Sequence, residues 1–211
     1  MERLQELLRQ YNITHIDEYV SGGGWNMMYQ QRIFPEYWKR VYIIADSLPR
    51  SLRVLEIGSG FGFVTSIFSY LGFKTIVGFE RDSQIANSAS ARLKSLFNRE
   101  DCIRSESFTN QLYPSDLLVL VNCVYSDGLK SKEEYLRQIL SYYEQAGSPH
   151  YFILEVIDES YKETNDVFPP IVRLGKDDIV NLFPNSKIQS WPTYVYPKNH
   201  ISKTLYYIET L

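Results

Sequence analysis

Within one short stretch of this chain, five residues have the types and spacing needed to hold a charged ligand. From Arg53 to Asp82 it reads RVLEIGSGFGFVTSIFSYLGFKTIVGFERD, with Gly58, Gly60 and Gly62 at alternate positions, Glu56 two residues before the first glycine and Glu80 near the end. Alternating glycines let a backbone approach a ligand closely, and a helix opened by such a turn offers free N–H groups and a positive dipole end. The dinucleotide fingerprint G-x-G-x-x-G is not met, because the third glycine comes one residue early and Phe63 takes its place. Glu56 separates the two patterns further. A carboxylate beside the loop repels a pyrophosphate and suits a cationic ligand. Glu80 ends the second apolar run, where a ligand lying over a sheet edge presents its ribose hydroxyls.

These residues need a strand, a loop, a helix and a second strand to position them. Arg53 to Ile57 is a short apolar run with one acid, as in a buried parallel strand. The helix expected over residues 62–71 is closed by Gly72, and Lys74 to Phe79 makes the second strand. This unit resembles the class I S-adenosylmethionine-dependent methyltransferases, whose first motif is an acid-x-G-x-G-x-G turn followed by an acid ending strand two; Glu56, Gly58, Gly60, Gly62 and Glu80 match it position by position. The resemblance implies S-adenosyl-L-methionine as cofactor, whose ammonium and sulfonium suit Glu56. It also implies an α/β, Rossmann-like, seven-stranded and mostly parallel sheet with a terminal antiparallel hairpin, helices on both faces and an N-terminal helical extension. The organisation expected is a helical extension and cofactor cover over residues 1–48 and a cofactor-binding methyltransferase domain over 49–211. The cofactor-binding set is Glu56, Gly58, Ser59, Gly60, Gly62, Phe79, Glu80 and Arg81, with Glu106 and Ser107 after strand three near the adenine, and Asn122 after strand four.

The remaining chain supplies the frame. Leu4, Leu7, Leu8 and Tyr11 share a helical face in the first eleven residues. Gly22, Gly23 and Gly24 follow, then Trp25, Met27, Met28 and Tyr29, a hinge and an aromatic, sulfur-rich segment that suits a cover over the cofactor, with Trp25 and Tyr29 as substrate contacts. Helices are expected over 35–48, 84–97, 131–146 and 175–183, the third opened by a Ser131/Glu134 capping box. Strands are expected over 102–107, 116–121 and 151–157, followed by a polar loop to Pro170 that suits a substrate wall and by an antiparallel pair over 187–196 and 204–209.

Strand four runs into Asn122-Cys123-Val124-Tyr125 and a Ser126-Asp127-Gly128 turn, at the strand end where ligands bind in parallel sheets. Amino-methylating nucleic-acid enzymes have an Asn/Asp-Pro-Pro-aromatic tetrad there; this chain keeps the first and last members and lacks both prolines. Methyl transfer from a sulfonium is an in-line displacement driven by positioning and charge compensation, and a base is needed only for a hydroxyl acceptor. Tyr125, Asp127 and His200 are the catalytic candidates. His15 falls in the N-terminal segment, and His150, just before strand five, reads as structural or exposed.

Length and composition set outer bounds. The 211 residues suffice for a full α/β core, net charge is −3, and acids and bases are interspersed, which disfavours a protein that tracks long nucleic acid by its phosphates. Cys102 and Cys123 read as two buried thiols rather than a disulfide, and no metal site is expected. The charged, amphipathic start is no signal sequence and no apolar run approaches about 18 residues, so a cytoplasmic protein with no membrane partner is expected. The function implied is methyl transfer to a small-molecule acceptor through oxygen or nitrogen, with a homodimer left open. Two alternatives keep the same loop: transfer of the aminocarboxypropyl arm, as in nicotianamine-synthase-like enzymes, and a non-enzymatic binding subunit.

Overall fold

A computed structural model describes residues 1–15, 34–109, 111–123, 128–162, 168–195 and 201–210. The chain divides into two compact units, Met1–Thr109 and Asn110–Leu211. The first unit is built on three parallel strands, β1 (Arg53–Ile57), β2 (Thr75–Glu80) and β3 (Ile103–Ser105), in the order β3-β2-β1. β1 and β2 pair from Arg53 opposite Thr75 to Ile57 opposite Phe79, which aligns the ends that carry the glycine loop and Glu80. β1 is exposed only at Arg53 and buried thereafter, as its composition requires.

Four helices of this unit lie among the described residues: α1 (Glu2–Thr14), α2 (Glu36–Ser47), α3 (Phe63–Leu71) and α4 (Ser83–Phe97). Gly62 and Gly72 cap α3 at its two ends, both left-handed, with φ of 73° and 86°. Only glycine takes that conformation without strain. Asp82 caps α4, its Oδ1 accepting from the Gln84 and Ile85 N–H groups at 2.9 and 3.1 Å. α2 ends one residue before Leu48 and Pro49, and its fully buried Trp38 donates from Nε1 to the Phe63 carbonyl at 2.9 Å, tying α2 to the first turn of α3.

α1 buries Leu4, Leu8, Tyr11 and, unexpectedly for an amphipathic pattern, Asn12; the expected Leu7 is only half-buried. The reason for Asn12 lies on α4. Arg92 is fully buried and donates from Nη2 to Asn12 Oδ1 at 3.0 Å and from Nη1 to the Phe61 carbonyl in the glycine loop. Its guanidinium also lies over the Phe63 ring, 4.0 Å from the centroid, and 5.6 Å from that of Tyr11. One cation thus joins α1, α4 and the loop.

The second unit holds β4 (Leu117–Leu120), β5 (Tyr151–Asp158), β6 (Arg173–Leu174), β7 (Ser186–Val195) and β8 (Ile201–Thr210). β4 and β5 are parallel, the two-residue β6 is parallel to the end of β5, and β8 then pairs antiparallel with β5 and with the edge strand β7. The expected terminal hairpin is present, and β6 is an addition. Pro192 is tolerated because β7 is an edge, and a register irregularity between Pro192 and Tyr194 leaves Thr193 as a bulge turned inward. α5 (Lys132–Gln145) is capped by Ser131, whose Oγ accepts from the Glu134 N–H at 3.2 Å. Glu134 returns its carboxylate to the Lys130 N–H instead of that of Ser131, so the capping box is shifted by one residue. α6 (Lys176–Leu182) completes the unit. Cys102 is buried and Cys123 half-buried, and neither is in a disulfide. Among the described residues no helix is long and apolar enough to cross a membrane.

Replacing Arg92 with Met keeps most of the buried stem and removes the donors, leaving the amide oxygen of Asn12 without its hydrogen bond. We expect a loss of about 2 kcal/mol in urea unfolding and faster hydrogen exchange through α1. Unchanged stability and exchange would show that Arg92 does not hold α1.

Candidate active site

The glycine loop is held from below by β2. The Phe79 carbonyl accepts from both the Gly58 and Ser59 N–H groups, at 2.9 and 3.0 Å, while its ring packs edge-on against Phe108 with centroids 5.0 Å apart. Gly58, Gly60 and Gly62 all have positive φ, of 71°, 53° and 73°. Their surroundings differ. A Cβ on Gly62 would sit 3.1 Å from the Ala89 Cβ, so this glycine serves packing on α4, whereas a Cβ on Gly60 would meet nothing within 4 Å. Gly60 is where the loop leaves room for something to approach. Gly78 in β2 has a related duty, because a Cβ there would lie 2.9 Å from both Ser59 Cβ and Ile103 Cδ1.

Glu80 fastens the loop from the side. Its Oε2 accepts from the Gly60 N–H and its Oε1 from the Asp82 N–H, both at 2.9 Å. Each oxygen retains a further lone pair, so the carboxylate can also accept from a ligand hydroxyl. Glu56 is only 2 % exposed and accepts from the Thr65 hydroxyl at 2.5 Å. Among the described residues no basic side chain pairs with it. Burial, with Glu80 nearby, pushes its carboxyl up to about 8 despite the Thr65 hydrogen bond. A buried acid without a counter-ion beside an open glycine turn fits a ligand that brings its own positive charge, and the donor set therefore suits the cofactor the sequence implies.

The other expected cofactor residues are dispersed differently. Arg81 is exposed beyond β2, and Glu106 and Ser107 are exposed after β3, with Glu106 3.8 Å from Arg104 in an ion pair. Asn122, in the second unit, follows β4 with φ of 51° and accepts at Oδ1 from Lys203 Nζ at 2.5 Å. His150 is exposed, 3.7 Å from Glu209. Tyr125, Asp127, His200, Trp25 and Tyr29 lie outside the described residues, as do the three glycines of the expected cover.

Sequence reasoning missed a second buried polar group. Glu155 in β5 is 1 % exposed, accepts from the Thr193 hydroxyl at 2.5 Å and lies 3.9 Å from Lys203 Nζ. Lys203 also stands over the Phe168 ring at 5.6 Å. An acid in the middle of YFILEVI was the available signal.

The sequence profile of the family described as Protein-L-isoaspartate(D-aspartate) O-methyltransferase (PCMT) matches residues 27–132, half of the chain. A search of curated proteins by sequence gives no match. Among solved structures, the magnesium protoporphyrin IX methyltransferase (ChlM) of Synechocystis PCC 6803 with bound S-adenosylmethionine is 15% identical, with a TM-score of 0.62 over 98% of this chain and 97% of that one. An S-adenosylmethionine-dependent methyltransferase from Clostridium acetobutylicum ATCC 824 is 11% identical, with a TM-score of 0.60 over 95% and 98%. The small RNA methyltransferase HEN1 is 13% identical, with a TM-score of 0.58 over 82% of this chain and 25% of that one. At these identities the likeness is one of fold.

Two outcomes follow from the loop. Gly60→Val places a branched side chain in the open space at a left-handed position, and we expect the domain to stay folded while calorimetric affinity for S-adenosylhomocysteine falls at least about tenfold; a folded variant with normal affinity would contradict this. Glu56 holds its proton in the folded protein up to about pH 8, against 4.5 for an ordinary glutamate. The folded state therefore binds more protons between those values, and stability should fall as pH rises through that window, by at most about 1.4 kcal/mol per pH unit. Glu56→Gln should flatten that slope in urea unfolding, and an unchanged slope would assign it elsewhere.

Proposed function

Because the chain belongs to the protein-L-isoaspartate(D-aspartate) O-methyltransferase family, and so is an S-adenosylmethionine-dependent methyltransferase, we propose that its acceptor is a small molecule methylated on oxygen or nitrogen. The observation that carries this reading is a small polar set in the second unit. Lys203 and Glu155 are buried, Asn122 is half-exposed beside Lys203, and Phe168 and Thr193 border them, the kind of few convergent polar groups that a small-molecule site uses. Phosphate tracking needs instead an extended basic face, and acids and bases are interspersed along this chain.

The porphyrin methyltransferase and the methyltransferase domain of bacterial CtHen1-C both align over 97% of their own lengths, so these neighbours give the fold and not the acceptor. The family description names isoaspartyl protein as acceptor, but its profile ends at residue 132, before the strands that contribute Glu155, Thr193 and Lys203.

The cofactor supplies an electrophilic methyl group on a sulfonium. The chain supplies position. Gly60 lets the backbone come close, Glu80 accepts from ribose hydroxyls, and Glu56 balances the ammonium. Asn122 meets the acceptor, with Tyr125, Asp127 and His200 as further acceptor-side residues and Trp25 and Tyr29 in a cover over it.

The test is product analysis. The full chain is incubated with cell metabolite extract and S-adenosylmethionine labelled in the methyl group. We expect S-adenosylhomocysteine and label in a low-mass product. Methylthioadenosine would indicate transfer of the aminocarboxypropyl arm, and label confined to protein or RNA would overturn the small-molecule acceptor.

A further inference from the structure

Asn122 lies two residues beyond β4, at the carboxyl end of a strand parallel to β5, the end at which such sheets meet their ligands. It is half-exposed and holds a left-handed conformation that costs energy in any residue but glycine, though least in Asn and Asp. Its side chain has one oxygen and one NH₂, which read opposite kinds of partner. An ammonium can only donate. The amide face toward Lys203 Nζ, at 2.5 Å, is therefore the oxygen, and the NH₂ points the other way, where among the described residues it donates to no group.

Lys203 is itself fixed. Glu155 pairs with Leu205 across β5 and β8, and Ile157 pairs with Lys203, so Glu155 and Lys203 are diagonal neighbours within reach of long side chains. The Glu155 carboxylate is pinned by the hydroxyl of Thr193, the bulge residue of β7, and lies 3.9 Å from Nζ. Burial pushes the Lys203 amine down and Glu155 pushes it back up. Without Glu155 a lysine this enclosed would tend to lose its proton and could then accept from the amide NH₂.

We propose that Lys203, seated on Glu155, is a positioning residue that fixes the Asn122 amide with its NH₂ toward the acceptor, and that the pair selects an acceptor oxygen over an acceptor nitrogen. The inference rests on the small-molecule methyltransferase reading. An attacking amine has one lone pair, and an N–H donor beside it competes for the electrons that must form the new bond. An oxygen has a second lone pair. It accepts from Asn122 with one and attacks with the other. The oxygen-to-methyl bond forms as the methyl-to-sulfur bond breaks, the electron pair leaves on sulfur, and an ionised oxygen has no proton to lose.

The test uses the full chain, isotope-labelled and saturated with S-adenosylhomocysteine, with phenol and aniline as probes of nearly identical shape. Nuclear magnetic resonance of the Asn122 side-chain NH₂ and the Lys203 ammonium reports on the pair. Phenol should shift the Asn122 NH₂ signals and bind about fivefold more tightly than aniline, the worth of one hydrogen bond. Asn122→Gly removes the NH₂ donor, suits the left-handed backbone there and should erase the preference. Lys203→Met frees the amide to turn and should erase it, and Lys203→Arg should restore it. Asn122→Gly leaves the Lys203–Glu155 pair in place and carries the test alone where Lys203→Met does not fold. Equal binding of both probes, binding of neither, or a preference unchanged in Asn122→Gly would overturn the selector. Loop amide shifts at Gly58 and Gly60 report S-adenosylhomocysteine binding separately. Their absence would remove the cofactor reading and the selector together, whereas their presence without a phenol preference removes the selector alone.

Discussion

Two backbone N–H groups converge on the Glu80 carboxylate, that of Gly60 from the loop after β1 and that of Asp82 from the turn before α4, and the first unit depends on this junction. Through Gly60 it sets the shape of the glycine turn. Through Asp82 it sets the start of α4, because the same residue caps that helix. α4 in turn carries Ala89 against Gly62 and Arg92 against the Phe61 carbonyl, so the turn is gripped again from its far side. Arg92 then reaches Asn12 and fixes α1. One carboxylate at the end of β2 thus lies at the head of a continuous series of contacts running through the loop to the N-terminal helix.

Each unit also buries a glutamate whose carboxylate accepts from a threonine hydroxyl at 2.5 Å, Glu56 from Thr65 and Glu155 from Thr193. The resemblance ends at the counter-charge. Glu155 has Lys203 at 3.9 Å, while Glu56 pairs with no cation among the described residues and is held protonated up to about pH 8. A buried carboxyl without a partner is costly to ionise. In this account the missing positive charge belongs to the cofactor, and in the second unit it is built into the chain, where it orients an amide rather than a ligand.

Much of the first unit was legible in the sequence because its signals are local. The apolar run Arg53–Ile57 is observed with those bounds, and Gly72 and Asp82 cap the helices they were expected to cap. Arg92 was not legible. A four-residue spacing from Ile85 through Ala89 to Leu93 describes the face of α4, yet Arg92 lies on that face and is more deeply buried than Ile85, because it answers Asn12 and Phe61, far away in sequence. Lys203 escaped for a different reason. Reading the last strand from Thr204 leaves Lys203 in a loop, and only the register with Ile157 and the bulge at Thr193 bring it over Glu155. Long-range partners, not propensity, decide which polar residues go inside.

The most direct measurement of the central claim is a crystal structure of the chain with S-adenosylhomocysteine. The account predicts both ribose hydroxyls on Glu80, with its hydrogen bond from the Gly60 N–H kept near 2.9 Å, and the ligand ammonium toward Glu56. A ligand bound with Glu80 turned away from Gly60, or a ribose that does not touch Glu80, would contradict it.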